Sequence, residues 1–288
     1  MKKRILAAVV TVVLAAAALA GCGSKEKEAK TIKVAASAVP HAEILEAAKP
    51  LMEAKGYTLE VKVFDDYIQP NMVVESEEFD CNYFQHIPYL ESFNEEQGTH
   101  LVNAGGIHYE PLGIYPGKES DLSAIGEETS IAIPDDSTNE ARALLLLQAN
   151  GIITLKEGAG LLATVRDIEE NPYNIEFVEL ESAQIPRMLQ DVSFGVLNGN
   201  YAMQAGLNAK TDALAYETAD SEAAQTYVNI IAVKEGHEND EGIKALVEVL
   251  QSDEITKFIE DTYEGAVVPL FFIGFGDKID VCLELFLI

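Results

Sequence analysis

The chain has no tryptophan, three cysteines in 288 residues, and 20 Lys and Arg against 48 Asp and Glu. Three cysteines, Cys22, Cys81 and Cys282, exclude a disulfide-built scaffold and leave at most a single Cys81–Cys282 bridge. The formal net charge of −28 at pH 7 excludes nucleic acid as a partner, because such a surface repels polyanions at long range. The acids are spread along the chain, as in a solubilising exterior. No repeat with a period of roughly 20 to 50 residues is present, which excludes a solenoid. Metal and enzyme signatures are missing too. His41, His86, His100, His108 and His237 stand at no short ligand spacing, and His237-Glu238 lacks the second His of a zinc-protease motif. There is no Gly-x-Ser-x-Gly elbow, and Pro116-Gly117-Lys118-Glu119 lacks the spacing and hydroxyl of a phosphate loop. The expectation is a protein with no metal, no cofactor and no catalytic residue.

The first residues carry the strongest positive signal. Met1-Lys2-Lys3-Arg4 precedes a mostly apolar run over 5–20, which is shorter than the roughly 20 residues of a spanning helix. A basic start, a short apolar run and small residues before a cut site describe an export signal over residues 1–21. The Leu19-Ala20-Gly21-Cys22 sequence resembles the lipobox of bacterial lipoproteins. That resemblance implies a diacylglycerol on Cys22 and a chain anchored to the extracytoplasmic face of the cell membrane. Residues 22–30 read as a flexible tether.

From residue 31 the pattern alternates between strand and helix periods, which argues an α/β sheet. Strands are expected at 32–36, 59–63, 79–84 and 101–104, with helices at 40–55, 70–76 and 86–97 between them. A second block has strands at 130–133, 175–178 and 194–197, helical segments near 165–170 and 184–189, and an apolar helix at 141–149. Ser137-Thr138-Asn139-Glu140 has the capping-box form, Ser at the cap and Glu three residues on. A strand at 227–233 and helices at 240–251 and 253–263 lead back to the first block. Two α/β lobes facing each other place a cleft at the carboxyl ends of their strands.

Loops after strands therefore supply the candidate site residues: Tyr67 in Phe64-Asp65-Asp66-Tyr67; Phe84, His86 and Tyr89 in Phe84-Gln85-His86-Ile87-Pro88-Tyr89; and Asn198. Aromatics beside hydrogen-bonding groups suit a small ligand with an apolar part and a polar end. Arg142 begins the apolar helix with Leu145 and Leu146 on its face, so its guanidinium needs a buried partner. A bound carboxylate suits the planar fork, and so does an internal acid.

At these words the chain resembles the NlpA/MetQ family of methionine-binding lipoproteins, which serve ABC importers. The resemblance covers about 33–271 and rests on Val39-Pro40-His41-Ala42-Glu43-Ile44-Leu45, Phe64-Asp65-Asp66-Tyr67-Ile68-Gln69-Pro70-Asn71, Phe84-Gln85-His86-Ile87-Pro88-Tyr89-Leu90, Leu144-Leu145-Leu146-Leu147-Gln148 and Tyr227-Val228-Asn229. It implies a type II, two-lobed periplasmic-binding-protein-like fold, with lobe I formed by 31–111 and 229–271 and lobe II by 112–228. It also implies that Arg142 holds a ligand carboxylate and that Asn198 and Asn229 bond its polar head. Tyr67, Phe84, His86 and Tyr89 would surround its side chain. The implied partners are methionine or a close analogue, a membrane permease with its ATPase, and the membrane through Cys22. D-methionine, a methionine-containing dipeptide or another amino acid would fit the same scaffold; an exported enzyme and an adhesin are the readings from other classes. Residues 272–288 continue past the family pattern.

Overall fold

The computed structural model describes residues 30–218 and 222–272. The export signal, Cys22, the tether up to residue 29, and the tail from residue 273 with Cys282 lie outside the described residues.

The chain builds one sheet, crosses to a second and returns. The outward half contributes β1 (Lys30–Ala36), β2 (Tyr57–Val63), β3 (Cys81–His86) and β4 (Leu101–Tyr109) to the first sheet. Then come β5 (Gly113–Pro116) and β6 (Ser130–Pro134) of the second sheet, a separate ribbon of β7 (Thr154–Leu155) with β8 (Ile168–Glu170), and β9 (Glu176–Leu180), β10 (Phe194–Leu197) and β11 (Ala215–Tyr216), again of the second. The return adds β12 (Val228–Lys234) and the edge strand β13 (Val268–Phe272) to the first. The helices that matter here are α1 (Glu43–Ala54), α2 (Gln69–Glu75), α3 (Ile87–Gln97), α4 (Ser137–Ala149), α5 (Ile185–Met188), α6 (Gly199–Gln204), α7 (Glu241–Leu250) and α8 (Asp253–Tyr263).

Strand order is β13-β4-β12-β3-β1-β2 in one sheet and β11-β5-β10-β6-β9 in the other. Each contains three parallel strands with the first in the middle, flanked by an antiparallel neighbour. That neighbour, β12 or β5, is the strand made as the chain enters the lobe. The two-lobed α/β architecture is thus a pair of similarly wound sheets, as the alternating pattern required.

Period-two alternation decides which side of the first sheet each residue packs on. Ile32, Val34 and Ala36 of β1, with Ile231 and Val233 of β12, join Ile44, Leu45 and Met52 of α1, Leu246 of α7 and Ile259 of α8. Ala35, Ile230 and Ala232 face the other way, onto Val74 of α2 and Leu90 of α3. The last two helices therefore return to the first lobe, as expected. Ile243, Leu246, Val247 and Leu250 of α7 supply the i, i+3, i+4, i+7 stripe that holds it there. Cys81 is fully buried in β3, and that burial pushes its thiol pKa well up, so it is inert.

Three local expectations are corrected. The cap of α4 is Asp136, not Ser137: Asp136 has extended backbone and its carboxylate accepts the Asn139 N–H at 3.0 Å. Ser137 Oγ instead meets Ser92 Oγ at 2.7 Å and donates to Glu96 at 3.0 Å, and Glu140 accepts from Val165 N–H. The helical segment near 165–170 is one turn, Val165–Asp167, closed by a Thr164–Asp167 box, after which Ile168 pairs with Leu155 as strand β8. Finally, β4 runs on to Tyr109, because Gly105 and Gly106 stay paired with Ile231 and Ile230 of β12, the register shifting on either side of them without ending the strand.

Candidate functional site

The carboxyl ends of the parallel strands in both lobes meet at one cleft. β2 runs into the Tyr67 loop, β3 into α3, β6 into α4 and β10 into α6. A cavity with about 330 Å³ of empty space, counting its open side, lies between them. Tyr67, Phe84, His86, Tyr89, Arg142, Asn198 and Asn229 all line it, so every binding position expected from sequence is brought to one place. Gln85, Gly199 and Asn200, neighbours of those positions in the same loops, complete the lining with Glu110 and Asn139, which the sequence reading did not place at the site.

One end of the cavity is aromatic. The Tyr67 ring lies 5.6 Å from Phe84, 5.7 Å from Tyr89 and 5.1 Å from Tyr201, centroid to centroid, in tilted and edge-on contacts that favour ring pairs. Tyr67 Oη donates to Asn200 Oδ1 at 2.7 Å and Tyr201 Oη to the Asp65 carbonyl at 3.0 Å, so both phenols bridge the lobes.

The other end is polar and centres on Asn139. Its Nδ2 donates to both Asp136 carboxylate oxygens, at 2.8 and 3.0 Å, which fixes Oδ1 as an acceptor. That oxygen takes Asn198 Nδ2 at 2.8 Å and His86 Nε2 at 3.2 Å. His86 is therefore the Nε2–H tautomer, with Nδ1 accepting the Tyr89 N–H and capping α3. Burial, and then Arg142, lower its pKa to about 3, so the ring is neutral. Asn198 Oδ1 and Asn200 Nδ2 remain buried with no hydrogen-bond partner among the described residues. One acceptor and one donor are thus left over in the cavity wall.

Arg142 has found the internal acid as well as the cavity. Nε donates to Glu217 Oε1 at 2.9 Å and Nη2 to Glu217 Oε2 at 2.5 Å, with a further Nη2 bond to the Glu110 carbonyl at 2.9 Å. Nη1 makes no hydrogen bond to the described residues. Burial pulls the guanidinium pKa down, but the Glu217 carboxylate more than reverses this and holds it above the ordinary value. The Tyr227 ring packs 4.1 Å from the guanidinium carbon. Glu217 also accepts from Tyr109 Oη at 2.7 Å and from Leu112 N–H at 3.0 Å, so it ties β4, the first crossing and α4 together.

Behind the cavity, His41, His108 and Glu110 come within 4.8 Å of one another although their spacing in sequence suggested nothing. Most of their atoms have partners: His108 Nε2 bonds Glu110 Oε1 at 2.7 Å, Tyr83 Oη bonds His108 Nδ1, and His41 Nε2 bonds Asn229 Oδ1 at 2.9 Å, while His41 Nδ1 is buried without a partner among the described residues. Burial raises the Glu110 pKa, opposed by His41, Arg142 and the Asn200 backbone N–H. It lowers His41 to about 4 and His108 to about 3.

These buried histidines make stability acid-sensitive. Their folded pKa values lie below the unfolded value of about 6.5, so the stability they confer is present above that pH and is lost as pH falls from about 6.5 toward 4. Glu110, Asp136 and Glu140 are raised by burial and act in the opposite sense, offsetting part of the loss at the acid end. Urea unfolding at about pH 7.5, 6 and 5 should show a falling free energy, by up to about 1.4 kcal/mol per pH unit for each extra proton bound on unfolding. A flat profile would contradict three neutral buried rings.

A sequence profile of the NlpA lipoprotein family matches residues 32–271. The methionine-binding lipoprotein MetQ of Bacillus subtilis (strain 168) is 43% identical over 279 residues, covering 94% of this chain and 99% of that protein. Among solved structures, a lipoprotein from Ruminococcus gnavus ATCC 29149 is 70% identical with a TM-score of 0.83, over 84% of this chain and 99% of the other. A nutrient binding protein from Burkholderia cenocepacia, solved bound to methionine, is 40% identical with a TM-score of 0.79, over 83% and 99%.

Proposed function

The chain belongs to the NlpA lipoprotein family, and from that premise we propose that it captures methionine outside the cytoplasm and hands it to an ABC importer. The observation that carries this reading is the pairing of chemistries in one cavity: Arg142, Glu110, a spare amide acceptor and a spare amide donor at one end, and the Tyr67, Phe84 and Tyr89 rings at the other. A buried zwitterion must have both its charges and its hydrogen bonds met. A thioether is soft and apolar and is received well by ring faces and edges. In this reading Arg142 Nη1 and Asn200 Nδ2 face the ligand carboxylate, and Glu110 and Asn198 Oδ1 face the ammonium. Asn229 steadies the head group, and the protein does no chemistry on it.

Residues 31–111 with 229–271 form one moving body and 112–228 the other, pivoting at the two crossings. Tyr67–Asn200, Tyr201–Asp65, Ser92–Ser137 and His86–Asn139 are the bonds that closure makes. A ligand drives closure only by binding the closed form better, and one held from both lobes does so. Mass spectrometry of the protein as purified, together with calorimetric titration, tests the ligand: a chain that carries no methionine and takes up none refutes the assignment.

Lipid on Cys22 would hold this trap beside its permease and raise its local concentration. Cys22→Ser is expected to bind methionine unchanged yet support uptake poorly in cells; full uptake by the unlipidated form would reduce the anchor to an address.

A further inference from the structure

A second cavity at the mouth of the cleft has no part in the reading above. It holds about 710 Å³ of empty space, counting its open side, and shares Tyr67 and Tyr89 with the inner one. Phe93 and Tyr201 extend the aromatic wall. Both lobes put carboxylates into the lining, five in all: Asp66, Glu96, Asp135, Asp136 and Glu181. No Lys, Arg or His accompanies them. Three of the five are spoken for: Asp66 accepts from Ile68 and Gln69 N–H, Asp136 caps α4, and Glu96 takes Ser92 and Ser137 hydroxyls. Glu181 has one long bond, from Gln184 Nε2 at 3.2 Å. Burial and then the charge of Glu181 push the Asp135 carboxyl up.

Acids alone would be a solvated rim. The same wall, however, contains Ser182, which is 6% exposed and whose Oγ is buried without a hydrogen-bond partner among the described residues. A hydroxyl hidden and unmatched at the edge of an all-acid, ring-lined cavity is matched by a ligand group that brings hydrogen-bond donors.

We propose that this cavity is a second subsite of the binding cleft, taking the cationic end, alkylammonium or guanidinium, of an amino acid whose side chain extends past the aromatic wall. The proposal rests on the inner cavity holding an α-amino acid with its side chain against the rings. The partition between the cavities is two side chains: the Tyr67 and Tyr89 rings meet at 68°, and Tyr89 Oη reaches the Tyr67 carbonyl at only 3.2 Å. Turning the Tyr89 ring breaks that one weak bond and lets an alkyl stem through. The cation then lies against ring faces, which attract it, and among carboxylates that otherwise repel one another. A neutral end of the same length would displace water from those acids and offer nothing in return.

Calorimetric titration of the whole mature protein with three compounds tests this: methionine, S-(3-aminopropyl)homocysteine and its neutral isostere S-butylhomocysteine. The aminopropyl compound should bind at least about tenfold more tightly than the butyl one. A double variant, Asp135→Asn with Glu181→Gln, should erase that preference while leaving methionine affinity within about twofold and the unfolding midpoint unchanged. Equal or better binding of the butyl compound, or a preference that survives the double variant, overturns the subsite. Failure of methionine itself to bind would instead overturn the reading of the inner cavity.

Discussion

Arg142→Ala should lower methionine affinity by at least about two orders of magnitude, roughly 2.7 kcal/mol, and should also destabilise the protein without ligand. The second effect follows from Glu217. With its guanidinium partner gone, a carboxylate in a 7% exposed side chain keeps Tyr109 Oη and Leu112 N–H but no cationic partner among the described residues. Breaking a buried pair from one side costs about 3–5 kcal/mol. The two losses separate in a pair of variants. Arg142→Met combined with Glu217→Gln removes both charges at similar volume, so it should recover most of the stability and none of the binding. Calorimetry and urea unfolding on the same preparations measure this. Methionine binding that survives in the double variant would remove Arg142 from the site and leave it a structural ion pair.

Asn139→Leu is expected to be nearly as damaging, at a residue with no charge. The side chain is 1% exposed and makes four bonds at once, to both oxygens of Asp136, to Asn198 and to His86. An isosteric apolar replacement leaves Asp136, Asn198 and His86 facing each other without a mediator. Each stranded polar group costs about 1–3 kcal/mol. Binding should fall by about two orders, because Asn198 and His86 are then free to turn away from the cavity, and stability should fall by about 2–4 kcal/mol. Titration and unfolding measure the two losses, and an affinity within a few-fold of the parent would show that the Asn139 junction does not position the site.

How far the sequence reached can be judged at these residues. Strand alternation and helical stripes are one-dimensional signals, so the lobes, the returning helices and most element boundaries were legible. Tyr67, Phe84, His86 and Tyr89 were legible as polar and aromatic residues just after strands, and they meet in one cavity. Asn139 was visible only as the interior of an apparent capping box, since nothing local says that Asp136 takes the cap and frees the amide to face the cleft. Glu110, His41 and His108 were invisible for another reason. His108 and Glu110 stand only two residues apart, but His41 reaches them through the turn after β1 and the pairing of β4 with β12, and a contact across so long a separation carries no spacing pattern. For Arg142, sequence left a bound carboxylate and an internal acid open as partners; the structure supplies the internal acid, Glu217, and sets the same guanidinium in the cavity wall.

The winding of the first sheet also bears on how such a chain is made. β12 lies between β3 and β4, so without it the sheet falls into two unconnected pieces, β2-β1-β3 on one side and β4 on the other. The strand that joins them, Val228–Lys234, leaves the ribosome only after the entire second lobe. Until then the first lobe lacks the centre of its own sheet and the partners for the apolar faces of β3 and β4. The first lobe therefore completes its sheet late, once the strands of the second have been made. The order of strands thus ties completion of the first lobe to synthesis of most of the described chain.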